Sequence, residues 1–288
     1  MTAPKRRIWL CADDYGMAPG INRGIRHLIL RGRLNATSVM TAAPWLGDGE
    51  AAELAAVNEE TPRAALGLHV TLTGPFRPLS AGFAPARDGA FPPQMEMMRL
   101  AMLGRLALEP LVIEIATQLE AFVALFGRTP DFLDGHQHVH LFPTVRTAFL
   151  KVASEGARSA WVRQCMRPAR GRPLRDAKSL VLDLLSVRFR SRARRLGVTM
   201  NPAFAGAYAF TPKADFAALF PRFLTGMPDG GLIMCHPGFV DPALKSLDSL
   251  TDLRERELAY LDSDAFAHDL ARHRVELMTP AGETAAAA

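Results

Sequence analysis

The sequence predicts an α/β protein built on parallel strands, either a (β/α) barrel or a doubly wound sheet. Three observations carry this. Short apolar runs alternate with longer helical patterns from end to end, seven or eight times. The conspicuous polar clusters each follow one of those runs, which a parallel arrangement brings to one face. The 288 residues, 49 % hydrophobic and 22 % charged, are enough to bury a sizeable core.

The elements follow in order. "RIWLCA" (7–12) is the first apolar strand, and "DDYGMAPGIN" leads from it into a helix over 19–31. "ATSVMT" (36–41) and "ALGLHVTL" (65–72) are β-branched-rich strands on either side of a helix at 46–57. Residues 73–94 are rich in proline and glycine without periodicity, and read as a long loop shaping the mouth of a site. Leu111, Ile115, Leu119 and Phe122 stand at helical spacing and predict a helix over 109–126. Strands at 131–134 and 159–163 enclose a helix at 143–155, and a helix at 175–195 follows. A weaker strand at 203–207, a helix at 213–224, the strand "GLIMC" (231–235), a helix at 250–262 and the strand "RVELM" (274–278) complete the pattern. No internal repeat or linker divides the chain, so one domain over 1–280 and a disordered tail at 281–288 are expected.

Composition removes several classes of function. No stretch approaches the roughly 20 apolar residues of a membrane span. The first apolar run is too short for a secretion signal, which makes a cytoplasmic location the expectation. Cys11, Cys165 and Cys235 are odd in number and lack CxxC spacing, against a disulfide framework or a thiolate zinc site. The net charge of +5 is a local effect: residues 158–195 hold 12 Lys/Arg and two Asp, and the remainder of the chain is net negative. That basic region lacks a nucleic-acid-binding motif or interleaved aromatics, so no nucleic-acid partner is expected.

Four polar clusters mark strand ends: Asp13-Asp14, His69, the triplet His136, His138 and His140 behind Asp134, and His236. Each has an ordinary reading alone, as a helix cap, a core histidine or a turn residue. Together, at one end of successive strands, they describe a site. One carboxylate and two imidazoles suit Zn²⁺ or another first-row divalent ion, or Mg²⁺ with more water, and leave a position open for substrate. A second carboxylate as base and a histidine as acid would complete a metal-assisted hydrolase. Within the triplet, a helical turn would bring His136 and His140 to one side, whereas an extended stretch would bring all three.

"ADDYGM", "NATSVMTAAP", "LGLHVTLTG", "DGHQHVHLFP" and "IMCHPG" resemble, in order, sequence blocks of the YdjC/ChbG carbohydrate deacetylase family, and "LRERELAYL" is similar to its closing helix. The family includes a hopanoid-biosynthesis-associated branch, HpnK. The resemblance implies a distorted (β/α) barrel related to polysaccharide deacetylases, and one divalent metal ion, Mg or Zn. It implies Asp14, His69 and His136 as metal ligands, Asp13 as base and His236 as acid. His138 and His140 are expected to line the substrate pocket. Tyr15, where the family more often has Phe, is expected to bind substrate or reach solvent.

The expected activity is removal of acetyl from an N-acetylated sugar, oligosaccharide or glycolipid. A hydrolase of another bond such as a phosphoester, and a non-catalytic carbohydrate-binding protein, are the alternatives. The expected partner is a small-molecule or lipid-linked amino sugar, with a homodimer as one option for assembly. Residues 175–198 combine an apolar first half with a basic second half. They fit either a barrel helix with a solvated basic end or a peripheral contact with an anionic inner membrane.

Overall fold

A computed structural model of the chain describes residues 4–168, 177–248 and 251–280. Its eight strands are β1 (Arg6–Tyr15), β2 (Ala36–Val39), β3 (Ala65–Val70), β4 (Phe132–Gly135), β5 (Trp161–Val162), β6 (Phe204–Ala205), β7 (Leu232–Cys235) and β8 (Val275–Leu277). All pair in parallel, in the order β5-β4-β3-β2-β1-β7-β6, and β8 pairs with the first residues of β1.

The two ends of this row approach each other. Val162 bridges to Met200, and the Phe204 amide donates to the Met166 carbonyl at 2.9 Å. The sheet therefore curls into a distorted (β/α) barrel, which leaves little edge exposed. The doubly wound alternative does not form.

Ten helices surround the strands: α1 (Pro19–Leu30), α2 (Asp48–Ala56), α3 (Gln94–Met102), α4 (Leu108–Phe126), α5 (Val145–Gly156), α6 (Ala177–Arg195), α7 (Phe216–Leu224), α8 (Pro242–Leu247), α9 (Asp252–Asp262) and α10 (Asp264–Arg272), counted among the described residues. The periodicity in α4 is real: Leu111, Ile115 and Phe122 are fully buried against the sheet. Burial of each such side chain stabilises by about 1.5–3 kcal/mol. Three short helices, α3, α8 and α10, were not expected. At six to nine residues they are too short for their periodicity to stand out, and α3 and α8 flank loop segments. The long loop ends where α3 begins and is pinned from below: buried Glu114 on α4 accepts the amides of Leu79 and Ser80 at 3.1 and 2.8 Å.

The expected helix at 175–195 begins at Ala177; residues 175–176, like the 281–288 tail, lie outside the described residues. On α6, Leu182, Leu185, Phe189 and Ala193 face the core. Its solvent face carries Leu180, Val181, Leu184 and Val187 for two turns, then Arg188, Arg194 and Arg195. Among the described residues no helix is long and apolar enough to cross a membrane.

Candidate active site

All four clusters meet at the C-terminal ends of the strands, around one cavity of about 310 Å³. Asp13, Asp14, His69, His136, His138 and His236 line it. Adjacent residues of a regular strand point to opposite faces, so Asp13 and Asp14 could not both reach the cavity from an unbroken β1. The register between β1 and β2 shifts between Ala12 and Tyr15, and Asp14 adopts the left-handed conformation at φ 71°. That bulge turns both carboxylates inward, each only 2 % exposed.

The histidine triplet follows neither simple geometry. Residues 136–141 form a 3₁₀ turn broken by two left-handed residues, Gln137 at φ 53° and His138 at φ 58°. The break sends the three imidazoles in different directions. His136 reaches Asp14, its Nδ1 lying 2.9 Å from Oδ1. His138 stays at the cavity wall, packed edge-on against Phe204 with its Nδ1 3.7 Å from the Cys165 sulfur. His140 does not reach the cavity. It is fully buried between Phe149 and Phe189, and its Nε2 donates to the Arg163 carbonyl at 3.0 Å. Burial holds its pKa down to about 3, so it is neutral. Tyr15 also turns away, its hydroxyl bonded to the Glu50 carboxylate and 2.8 Å from Arg26.

Asp14, His69 and His136 form a donor group whose ligand atoms all lie within 4.8 Å of one another. His69 presents Nε2 to Asp14 Oδ1 at 3.4 Å, while its Nδ1 is 2.6 Å from Asp134 and 2.8 Å from Ser38. A carboxylate behind the imidazole fixes the proton on Nδ1 and frees Nε2 as a donor, the usual support of a metal-binding histidine. One oxygen of Asp14 is already held, Oδ2 accepting from Arg254 Nη2 at 2.6 Å, which leaves Oδ1 facing the histidines. The buried carboxylates Asp13, Asp14 and Asp134 outnumber the buried guanidiniums Arg163 and Arg254, and the surplus negative charge favours a cation. The pKa of His69 shows that preference: burial lowers it, but Asp134 and Asp13 outweigh burial and lift it to about 10. The donor set therefore fits a divalent metal. A second close group, Cys11, Asp13 and Asp134, does not, because the Arg163 guanidinium already occupies that position.

Asp13 is gripped by both terminal nitrogens of Arg163, at 2.6 Å each, and the same guanidinium reaches Asp134 at 2.5 Å. Burial pushes Asp13 up, and Arg163 opposes that shift without cancelling it. Asp14 goes the other way: against burial, Arg254 and His136 hold it well below the ordinary carboxylate range. Two adjacent aspartates thus differ in basicity because burial wins over Arg163 at the first and loses to Arg254 and His136 together at the second, which suits one to accept protons and the other to remain an anionic ligand. His236 also lines the cavity, directly after β7, the strand paired with β1, and the Phe210 ring meets it edge-on at 5.2 Å.

Sequence reasoning missed Arg163, Arg254, Glu257 and the role of Asp134. Arg163 had a signal, since it follows "SAWV" at the end of a strand, as the other clusters do. Arg254 and Glu257 had none, being two charges on a helix that also bears Asp252, Glu255 and Arg256.

The family model for YdjC-like proteins matches residues 7–272. A chitooligosaccharide deacetylase from Citrobacter koseri is 30 % identical over 262 residues, covering 86 % of this chain and 91 % of the relative. Among solved structures, a protein of Enterococcus faecalis V583 with a provisional assignment to cellobiose-phosphate cleavage superposes with a TM-score of 0.73. It is 21 % identical and covers 96 % of this chain and 97 % of its own, a likeness of fold. With the family model spanning the strands that carry every cluster of the cavity, the chain belongs to the YdjC-like family.

Proposed function

We propose that this protein is a metal-dependent hydrolase that removes acetyl from an N-acetylated amino sugar of the chito-oligosaccharide type. One observation carries the reading: a three-residue donor set, an arginine-held carboxylate and a further histidine share a single cavity. The similarity to a chitooligosaccharide deacetylase supports the substrate class.

Asp14, His69 and His136 would hold the ion, and two imidazoles with one carboxylate suit zinc, or magnesium with additional water. A divalent ion there supplies Lewis-acid chemistry, making water more acidic and polarising a carbonyl. The protein's residues do the rest. Asp13 takes a proton from the water that adds to the acetyl carbon, and Arg163 keeps both of its oxygens oriented. His236 delivers a proton to the sugar nitrogen as the C–N bond breaks. Water and amide become acetate and free amine. His138 and the Phe210 ring form walls against which a pyranose can pack.

The test is acetate release from N-acetylated chito-oligosaccharides, with phosphate release from sugar phosphates as the contrasting assay. Asp13→Asn should retain metal and lose deacetylation. Phosphate release without acetate release would overturn the reading. The solvent face of α6 supports a finer proposal, contact with an anionic lipid surface, because exposed leucines and arginines share that face.

A further inference from the structure

Glu257 is fully buried on α9, yet both of its oxygens are engaged by segments that line the cavity. Oε2 accepts the backbone N–H of His236 at 2.5 Å, and Oε1 accepts the Tyr208 hydroxyl at 2.5 Å. Tyr208 belongs to the segment after β6, which also carries Phe210 and Pro212 to the cavity. That segment departs from the strand at Gly206, where φ is +103° and an added Cβ would lie 2.1 Å from the Met234 carbonyl. The rings continue the connection: Tyr208 packs on Phe210 at 4.5 Å, and Phe210 meets His236 edge-on. One turn earlier on the same helix, Arg254 holds Asp14.

We propose that Glu257 is a positioning residue that sets the place of His236 and of the Phe210 wall relative to the donor set. The inference rests on the proposed deacetylation only for its kinetic readout. The backbone of His236 lies at a strand end, and β7 contributes only four residues to the sheet, ending at Cys235. There the His236 amide donates to a fully buried carboxylate, so the side chain of Glu257 fixes where the backbone turns out of the sheet. A carboxylate is the right group for that location, since it accepts two donors approaching from different segments. Burial pushes its pKa up to about 7, but protonation need not break the arrangement: the neutral acid still accepts from His236 and donates to Tyr208.

The experiment uses the metal-loaded full chain and two substrates, an N-acetylated chito-oligosaccharide and 4-nitrophenyl acetate. The amide needs a proton on its leaving nitrogen; the nitrophenolate leaves without one. In Glu257→Ala, kcat on the amide should fall by about 100-fold, the scale of a misplaced catalytic group, while the ester changes by about twofold at most. Glu257→Gln should recover most of the loss, because its amide oxygen still accepts from His236. Tyr208→Phe, a milder change that keeps the ring, should raise KM by roughly fivefold with kcat little altered. The His236 imidazole NMR signal, identified by its loss in His236→Ala, should move in Glu257→Ala and return in Glu257→Gln. Equal losses on both substrates, or a His236 signal that stays in place, would overturn the proposal. If the native protein releases no acetate but the signal moves and returns, the deacetylase reading fails and the positioning role stands.

Discussion

Arg163→Met replaces the cation that joins Asp13 to Asp134 by an unbranched apolar side chain. Arg163 is fully buried, as is Asp134, and Asp13 is 2 % exposed. The substitution leaves two buried carboxylates without the cation that pairs them. Removing one partner of a buried ion pair costs about 3–5 kcal/mol. Unfolding entropy of about 2.1 cal/mol/K per residue over 288 residues gives roughly 0.6 kcal/mol/K, so Tm should fall by about 5–8 °C. Urea unfolding in the presence of a chelator is the assay, because bound metal would add its own stabilisation. Arg163→Lys should recover only part of the loss, since an ammonium cannot reproduce the paired contacts to Asp13 at 2.6 Å each. Arg163→Met combined with Asp13→Asn and Asp134→Asn should be more stable than Arg163→Met alone. A loss below about 1 kcal/mol in the single variant would refute the reasoning, because that is the size of an exposed pair, not of a stranded charge.

Other outcomes follow from the same structure. Asp134→Asn removes the carboxylate behind His69 and should weaken metal affinity by about 10- to 100-fold, read by competition with a fluorescent chelator; unchanged affinity would remove Asp134 from the metal site. The pKa of Glu257 is raised from 4.5 to about 7, so the folded state binds the extra proton. Its contribution to stability is complete below about pH 4.5 and is lost as pH rises through about 7, amounting to about 3 kcal/mol. Glu257→Gln should lack that slope in urea unfolding, and parallel pH profiles would contradict it. On α6, sedimentation with liposomes should need anionic lipid, weaken with salt, and fall when Leu180 and Leu184 become Ser or Arg188, Arg194 and Arg195 become Gln; a native protein that stays in the supernatant at low salt ends the membrane reading.

The sequence by itself determined the strand–helix alternation and the clusters that end the strands. Both are written in local patterns: apolar runs of strand length, helical spacing as in Leu111, Ile115, Leu119 and Phe122, and ionisable residues where those runs stop. Parallel pairing then carries Asp13, His69, His136 and His236 to one face without further information. Tertiary structure decided what each residue does there. The left-handed residues Gln137 and His138 send His136 to Asp14, keep His138 at the wall and place His140 in the core, although all three histidines belong to one six-residue stretch. Asp13 and Asp14 are chemically identical neighbours until the fold buries both and brings Arg163 and Arg254 from 150 and 240 residues away: burial outweighs Arg163 at Asp13, whereas Arg254 with His136 outweighs burial at Asp14. Spacing along a chain records which side chains are available, whereas basicity depends on which charges lie within a few ångströms in a medium that screens poorly, and only the closed barrel sets those distances.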